Sequence, residues 1–223
     1  MVKRMLTYPC LVLDHDDTVV QSEATVNYPF FVYILDQFRP GATISLEAYV
    51  RGCCDLGFAD MCRVWYGFTE QELKDEYAGW QAYILDHIPD PFPGIGAIVR
   101  RQKALGGKIF VVSHSSDKNI LRDYRHHFGI EPDGIYSWDL PEDKRKPSPF
   151  ALEDIMANHG FSREQILVVD DMKPAWQMAR AAGVKIAFAA WGRKDYPQIA
   201  AHMRQLCDFS FDRPEDLEKF LFD

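Results

Sequence analysis

The sequence predicts an α/β fold: a parallel β-sheet covered by helices on both faces, interrupted early by an all-helical insertion. Three observations predict it. Short apolar runs rich in β-branched residues (10–13, 108–112, 166–169 and 184–189) alternate with segments of helical period, and strands buried on both faces read as continuous apolar runs. Between the first and second runs, residues 21–91 carry only helical patterns. That stretch closes on Pro89, Pro91, Pro93 and Gly94, a cluster that stops regular structure. The expected organisation is a core of residues 1–20 and 92–223 around an inserted helical unit, residues 21–91.

The elements follow in order. The first strand, 10–13, ends at Asp14. In the insertion, apolar and aromatic residues recur from Phe30 to Phe38, and Thr69 precedes Glu72 in capping-box spacing at the head of a helix over 69–87. A helix over 95–105 stops at Gly106-Gly107, and strand 108–112 follows. Next come a helix over 117–128 ending at Gly129, a short strand at 134–137, and a helix over 149–159 ending at Gly160. After strand 166–169, a helix over 174–182 has Pro174 near its start and Gly183 just past its end, the asymmetry that helix termini favour. A fifth strand spans 184–189, and the tail, 214–221, reads as a helix.

Composition narrows the function. Hydrophobic residues make up 47% of the 223, enough for a sizeable core, and the formal net charge is −8. No dense basic stripe is present to neutralise a phosphate backbone, which argues against nucleic-acid binding. No apolar run approaches the roughly 18 residues a bilayer demands, and the N-terminal segment lacks the apolar stretch of a signal peptide, so no membrane partner is expected. The five cysteines are odd in number and form no CxxC pair, which points to reduced thiols and a cytoplasmic protein.

In sheets of this kind ligands bind beyond the carboxyl ends of the strands, so the polar residues directly after the apolar runs matter most. In LVLDHDDTVV, Asp14 and Asp16 share a face of extended chain. One carboxylate can attack a phosphorus atom while the other handles a proton; the plainer alternative is an Asp-rich turn. Thr18 supplies a hydroxyl to the site or braces that turn. In VVSHSSDKN, Ser113 ends a strand just before a helix whose N–H groups suit an anion, or the serines only cap the helix. In EDKRKPSPF, Lys144, Arg145 and Lys146 precede a proline. A lysine there stabilises an attacking carboxylate and a phosphoryl group, or the turn is merely solvated. In VVDDMKPAW, Asp170 and Asp171 end a strand. Carboxylates crowded near Asp14 repel one another unless a hard cation joins them; alternatively, they cap the following helix.

In combination and order, these four segments resemble the motifs of the haloacid dehalogenase superfamily, whose fold is a three-layer, Rossmann-like core with an inserted helical cap. The resemblance makes Asp14 a nucleophile, Asp16 the general acid and base, and Ser113 a ligand of phosphoryl oxygens, with His114 in the pocket. Lys146, followed by Pro-x-Pro, matches the family lysine better than Lys144. The closing Ala-Ala-Gly aligns Asp171 with the main acidic position and leaves Asp170 in support. Magnesium would then be held by Asp14, Asp171, Asp170 and the main-chain carbonyl of Asp16. Four positions depart from the pattern: Asp17 and Asp170 stand where glycine is frequent, His114 where asparagine is frequent, and Ala175 where a second acid is frequent.

The activity this implies is magnesium-dependent hydrolysis of a small phosphorylated metabolite (phosphoglycolate-, sugar-phosphate- or nucleotide-like) through an aspartyl-phosphate. Asp16 and the Asp170–Asp171 pair speak against a dehalogenase. A phosphosugar mutase shares the four motifs, and a catalytically silent phosphate-binding protein retains the fold. Specificity is expected from the insertion, where Arg51, Arg63, Tyr49, Trp65 and Tyr66 either face the substrate or serve packing and solvent.

Overall fold

A computed structural model describes residues 6–223; the first five residues of the expected core segment lie outside the described residues. The described chain divides into two compact units, one running to Val20 and resuming at Pro91, the other Gln21–Asp90.

The core unit is built on a six-stranded parallel sheet in the order β3-β2-β1-β4-β5-β6. The strands are β1 (Cys10–Leu13), β2 (Lys108–Val112), β3 (Gly134–Tyr136), β4 (Ile166–Asp170), β5 (Lys185–Ala189) and β6 (Phe209–Phe211). Central β1 pairs with β2 on one side (Leu13 opposite Val111) and β4 on the other (Leu13 opposite Val169). The strand order therefore reverses beside β1, and the crevice beyond the carboxyl ends of β1 and β4 is where such a sheet receives ligands.

Alternation along β1 decides the layers. Leu11 and Leu13 join Ile98, Val99, Ile120, Tyr124 and Leu217 in one core. These come from α5 (Ile95–Ala104), α6 (Asp117–Phe128) and α10 (Pro214–Phe222). Cys10 and Val12 face the other way, onto Leu152, Ile155, Ala175 and Met178 of α7 (Phe150–His159) and α8 (Lys173–Ala182). Leu11, Val12, Leu167 and Val169 are all fully buried, each stabilising the fold by roughly 1.5–3 kcal/mol.

Helix α8 has Pro174 in its first turn and closes on Gly183 in the left-handed conformation, as its sequence predicts. Helix α9 (Pro197–Leu206) and strand β6 were not foreseen. β6 is three residues long, and Asp208 and Asp212 flank it; such a strand carries too short an apolar run to register as a period. α9 buries only Met203 of its ten residues, so its apolar stripe is thin. No helix among the described residues is long and apolar enough to cross a membrane.

The inserted unit contains α1 (Tyr28–Phe38), α2 (Leu46–Asp55), α3 (Phe58–Tyr66) and α4 (Glu70–Tyr83). Its centre is Phe31, whose ring lies 5.1 Å from Tyr49 and 5.6 Å from Phe58. The predicted capping box is formed: Glu72 N–H donates to Thr69 Oγ1, and Thr69 N–H donates to Glu72 Oε2 at 2.8 Å. Glu72 also takes both arms of Arg39, at 2.7 and 3.0 Å.

Glu76 of α4 is only 6% exposed, and burial raises its pKa to about 8. A carboxyl whose folded pKa lies above its unfolded value of about 4.3 contributes fully below the unfolded value. That contribution is lost as pH rises toward 8, at about 1.4 kcal/mol per unit. Glu76→Gln is therefore expected to flatten the fall in melting temperature between pH 5 and pH 8, with the two proteins most alike at the acidic end. An unchanged slope would mean that Glu76 is not the titrating group.

Candidate active site

Asp14 directly follows β1, and its N–H donates to Val169 O at 2.9 Å, fixing the chain between two strand ends. Lys146 reaches it from the loop between β3 and α7. The ammonium donates to Asp14 Oδ1 and Asp170 Oδ2, both at 2.8 Å, with its side chain only 5% exposed. Burial alone would lower the lysine pKa, but the carboxylates of Asp14 and Asp170 outweigh it and hold the pKa well above the ordinary value. Lys144, the other lysine of the segment, places its ammonium 4.5 Å from the centre of the Phe150 ring.

The loop carrying Lys146 is itself pinned. Arg145 donates to Leu140 O at 2.7 Å and stacks over Trp138 at 4.1 Å. His114 contacts Lys146 O through Nε2 at 3.1 Å and meets the Trp138 ring edge-on. Part of the imidazole surface is open to solvent, yet the surrounding protein, and next the Lys146 ammonium, bring its pKa down to about 4. At neutral pH it is therefore uncharged, and a contact to a carbonyl requires the tautomer with hydrogen on Nε2.

Carboxylate oxygens of Asp14, Asp170 and Asp171 lie within 4.8 Å of one another. Asp170 accepts a second hydrogen bond from Met172 N at 2.8 Å. Asp171 is fully buried: Thr18 Oγ1 donates to Oδ1 at 3.1 Å, while Oδ2 lies 2.6 Å from Arg193 Nη2 as an ion pair without hydrogen-bond alignment. Arg193 Nη1 in turn pairs with Asp17 Oδ2 at 2.8 Å. Burial, reinforced by Asp14, pushes the Asp170 carboxyl up to about 6 despite Lys146. Burial likewise raises Asp171 well above the carboxylate range, against the pull of Arg193.

These facts test whether the residues fit a divalent cation. With every group charged, four carboxylates (Asp14, Asp17, Asp170, Asp171) face two cations (Lys146, Arg193), leaving two negative charges in buried space. Burial is the main cause of the elevated Asp170 and Asp171 carboxyl values, and the neighbouring carboxylates add to it. Three hard oxygen donors within reach of one another suit a small divalent ion whose charge removes the surplus. The set fits.

The other expected residues fall as follows. Ser113 is buried at the end of β2, its hydroxyl accepting from Ser115 N at 3.2 Å. The Thr18 hydroxyl donates to Asp171 Oδ1 at 3.1 Å, a contact with a distant motif residue and not with its own turn. Asp16 is half-buried, its backbone bridged to Val20, and the converging carboxylates are Asp14, Asp170 and Asp171. Arg51 is a solvent-exposed residue of α2 in the inserted unit.

Two partners of the motif residues have no local signal in the sequence. Arg193, in the turn after β5 (Ala190–Arg193), stands far along the chain from Asp17; the one hint is an extra aspartate needing a countercharge. His15 pairs with Asp123 of α6 at 3.0 Å, while Arg122 holds the other oxygen of Asp123 at 2.7 Å.

The sequence profile of the haloacid dehalogenase-like hydrolase family matches residues 11–189. The chain belongs to that family. Among curated proteins none matches. Solved structures share the haloacid dehalogenase-like fold across nearly the whole chain. One is a predicted phosphoglycolate phosphatase from Haemophilus somnus 129PT (TM-score 0.74, 18% identity, 97% of this chain and 99% of that one). Another is a mutant of CbbY from Rhodobacter sphaeroides in complex with xylulose-(1,5)bisphosphate (TM-score 0.72, 16% identity, 96% of each chain). A third, from Bacteroides vulgatus, is assigned by prediction as a beta-phosphoglucomutase (TM-score 0.71, 19% identity, 97% of this chain and 88% of that one). The haloacid dehalogenase-like hydrolases thus supply the expected three-layer fold, and the chain is an enzyme of that hydrolase family.

Proposed function

We propose that the chain is a magnesium-dependent phosphatase that transfers the phosphoryl group of a small metabolite to Asp14 and then to water. The observation that carries this reading is the buried Lys146 ammonium, 2.8 Å from both Asp14 and Asp170. A carboxylate must approach a phosphate dianion, and fixed positive charge at that point offsets their repulsion.

Asp14 attacks phosphorus in line with the ester oxygen. The new O–P bond forms as the ester P–O bond breaks, and Asp16 gives its proton to the departing oxygen. Asp16 then takes a proton from water, which attacks the phosphorus of the aspartyl-phosphate and releases free phosphate and the Asp14 carboxylate. Ser113 and His114 bind the phosphoryl oxygens, and Lys146 counters their charge throughout. Asp14, Asp170, Asp171 and the carbonyl of Asp16 would hold the magnesium ion, which when bound supplies Lewis-acid charge stabilisation.

Residues 21–91 act as the cap, and within it Arg51 is the candidate for substrate recognition. The substrate is phosphoglycolate-, sugar-phosphate- or nucleotide-like; phosphoglycolate and sugar phosphates appear in the names of the structural relatives. A net charge of −8 disfavours nucleic-acid substrates. The cysteine pattern supports a cytoplasmic protein.

The test is phosphate release from a panel of small phosphate esters, with and without magnesium. Wild type is expected to release phosphate only with the metal, and Asp14→Asn to release none. Undiminished release by Asp14→Asn would remove the nucleophile assignment. An isomerised ester in place of free phosphate would establish a phosphosugar mutase instead.

A further inference from the structure

Three consecutive residues of the turn after β5 dock on two consecutive residues of the first motif. Trp191 Nε1 donates to Thr18 O at 3.0 Å. The Gly192 backbone passes so close to the turn that a Cβ built there would lie 1.9 Å from Asp17 O. Arg193 spans Asp17 and Asp171 at 2.8 and 2.6 Å. Trp191 and Arg193 are 5% and 1% exposed, so both contacts are made away from water. Asp17 holds a left-handed backbone conformation, φ 53°, which an aspartate tolerates at some cost. The docked segment therefore has something to hold in place.

We propose that Arg193 is a positioning residue for the metal-binding carboxylates: its guanidinium, anchored on Asp17, fixes the orientation of Asp171. The inference rests on the magnesium-dependent reading above. The physical case is that a carboxylate at the end of a strand can rotate about two bonds, and a cation gains most from a ligand already pointed at it. The Asp171 oxygens each have one defined neighbour, Thr18 on Oδ1 and Arg193 on Oδ2. A carboxylate oxygen of Asp171 also lies within 4.8 Å of one on Asp14 and one on Asp170. A planar guanidinium can hold two carboxylates in a fixed relation, which the point charge of a lysine cannot. Partners that orient a metal ligand are worth roughly 10- to 100-fold in metal affinity.

The plainer alternative is that Arg193 only neutralises Asp17, the extra charge of this chain. One double variant separates the two ideas. Asp17→Asn with Arg193→Met removes both charges together, so the charge balance around Asp171 changes little while the brace is gone. The probe is Mn2+, whose binding to the intact protein is read by electron paramagnetic resonance and titration calorimetry, without turnover.

Both wild type and the double variant are expected to unfold cooperatively, and the double variant to bind Mn2+ about tenfold more weakly or worse. Wild-type affinity in that variant would reduce Arg193 to a countercharge and overturn the proposal. Should the double variant fail to fold, Arg193→Lys decides the matter. It keeps the charge, and the same loss is expected because the two-armed bridge is gone; undiminished affinity overturns the proposal. A wild-type protein that neither binds Mn2+ nor responds to magnesium sinks the phosphatase reading itself. That failure is distinct from wild-type binding that survives loss of the brace.

Discussion

Lys146→Ala is expected to lower kcat for phosphate release by about a thousandfold or more, with a much smaller change in KM. The lysine does two things at once. It lies 2.8 Å from the Asp14 oxygen that would attack, and its loss would leave Asp14 to meet a phosphoryl dianion with less compensation. Removing one preorganised donor from a charge-developing site typically costs about 10²–10³ in rate. It also separates Asp14 from Asp170, and breaking a buried pair leaves an uncompensated charge worth about 3–5 kcal/mol. The two effects reinforce each other in the transition state, so the larger end of the range applies. Lys146→Arg should rescue little, because a forked guanidinium cannot take the place of one ammonium between two oxygens. Lys144→Ala is the internal control. Its ammonium sits over Phe150, and activity within about twofold of wild type is expected, in the range of surface substitutions. Steady-state phosphate release and melting temperature for the three variants check this together. A Lys146→Ala protein retaining a tenth of wild-type kcat would mean that the 2.8 Å contacts are structural.

The strand ends were legible in the sequence because each is a continuous apolar run meeting a polar residue. LVLD, FVVS and LVVD state where a buried strand stops and where its chain enters the crevice. The proline and glycine that bracket α8 gave its limits for a similar reason: the chemistry that ends a helix is local. What stayed hidden depends on distance along the chain. Nothing near Arg193 signals burial, and a lone arginine after WG has the look of a surface residue. Its burial follows from Asp17 and Asp171, which reach it only when β1, β4 and β5 align in the sheet. The pairing of His15 with Asp123 is of the same kind. Thr18 is a milder case: the sequence offered a hydroxyl at the right place, and only the fold shows that Asp171 accepts its hydrogen. The edge of the sheet was missed for the opposite reason. β6 has just three residues, all half-buried, and such a strand is held by pairing with β5 more than by a pattern of its own.

Gly192→Ala should be the most disruptive single methyl group that can be added near this site. Exchanging glycine for alanine where the backbone conformation permits it usually stabilises by about 0.4–1 kcal/mol, through the unfolded chain. Gly192 does not adopt a positive φ, so by conformation alone the exchange would be favourable. Space reverses the sign. The added carbon would lie 1.9 Å from Asp17 O, and that neighbour is backbone, not the far end of a flexible side chain. Relief requires moving the Asp17–Thr18 turn or the turn after β5. Either movement strains the Trp191 hydrogen bond to Thr18 O and both ion pairs of Arg193. Overpacking a tight site costs about 1–3 kcal/mol, occasionally more, and loss of the buried pairs places this case at the upper end. For a chain of this size the melting temperature should fall by roughly 6 °C or more, at about 2–4 °C per kcal/mol. Turnover should fall further than stability explains, because the Asp17–Thr18 turn directly follows Asp16 and carries the Thr18 hydroxyl that donates to Asp171. Assays well below the melting point would isolate that second effect as a loss of at least about tenfold in kcat, the order a small misplacement of reacting groups produces. A Gly192→Ala protein with wild-type melting temperature and turnover would show that the two turns do not approach so closely in solution, and the rigid link between them would have to be abandoned.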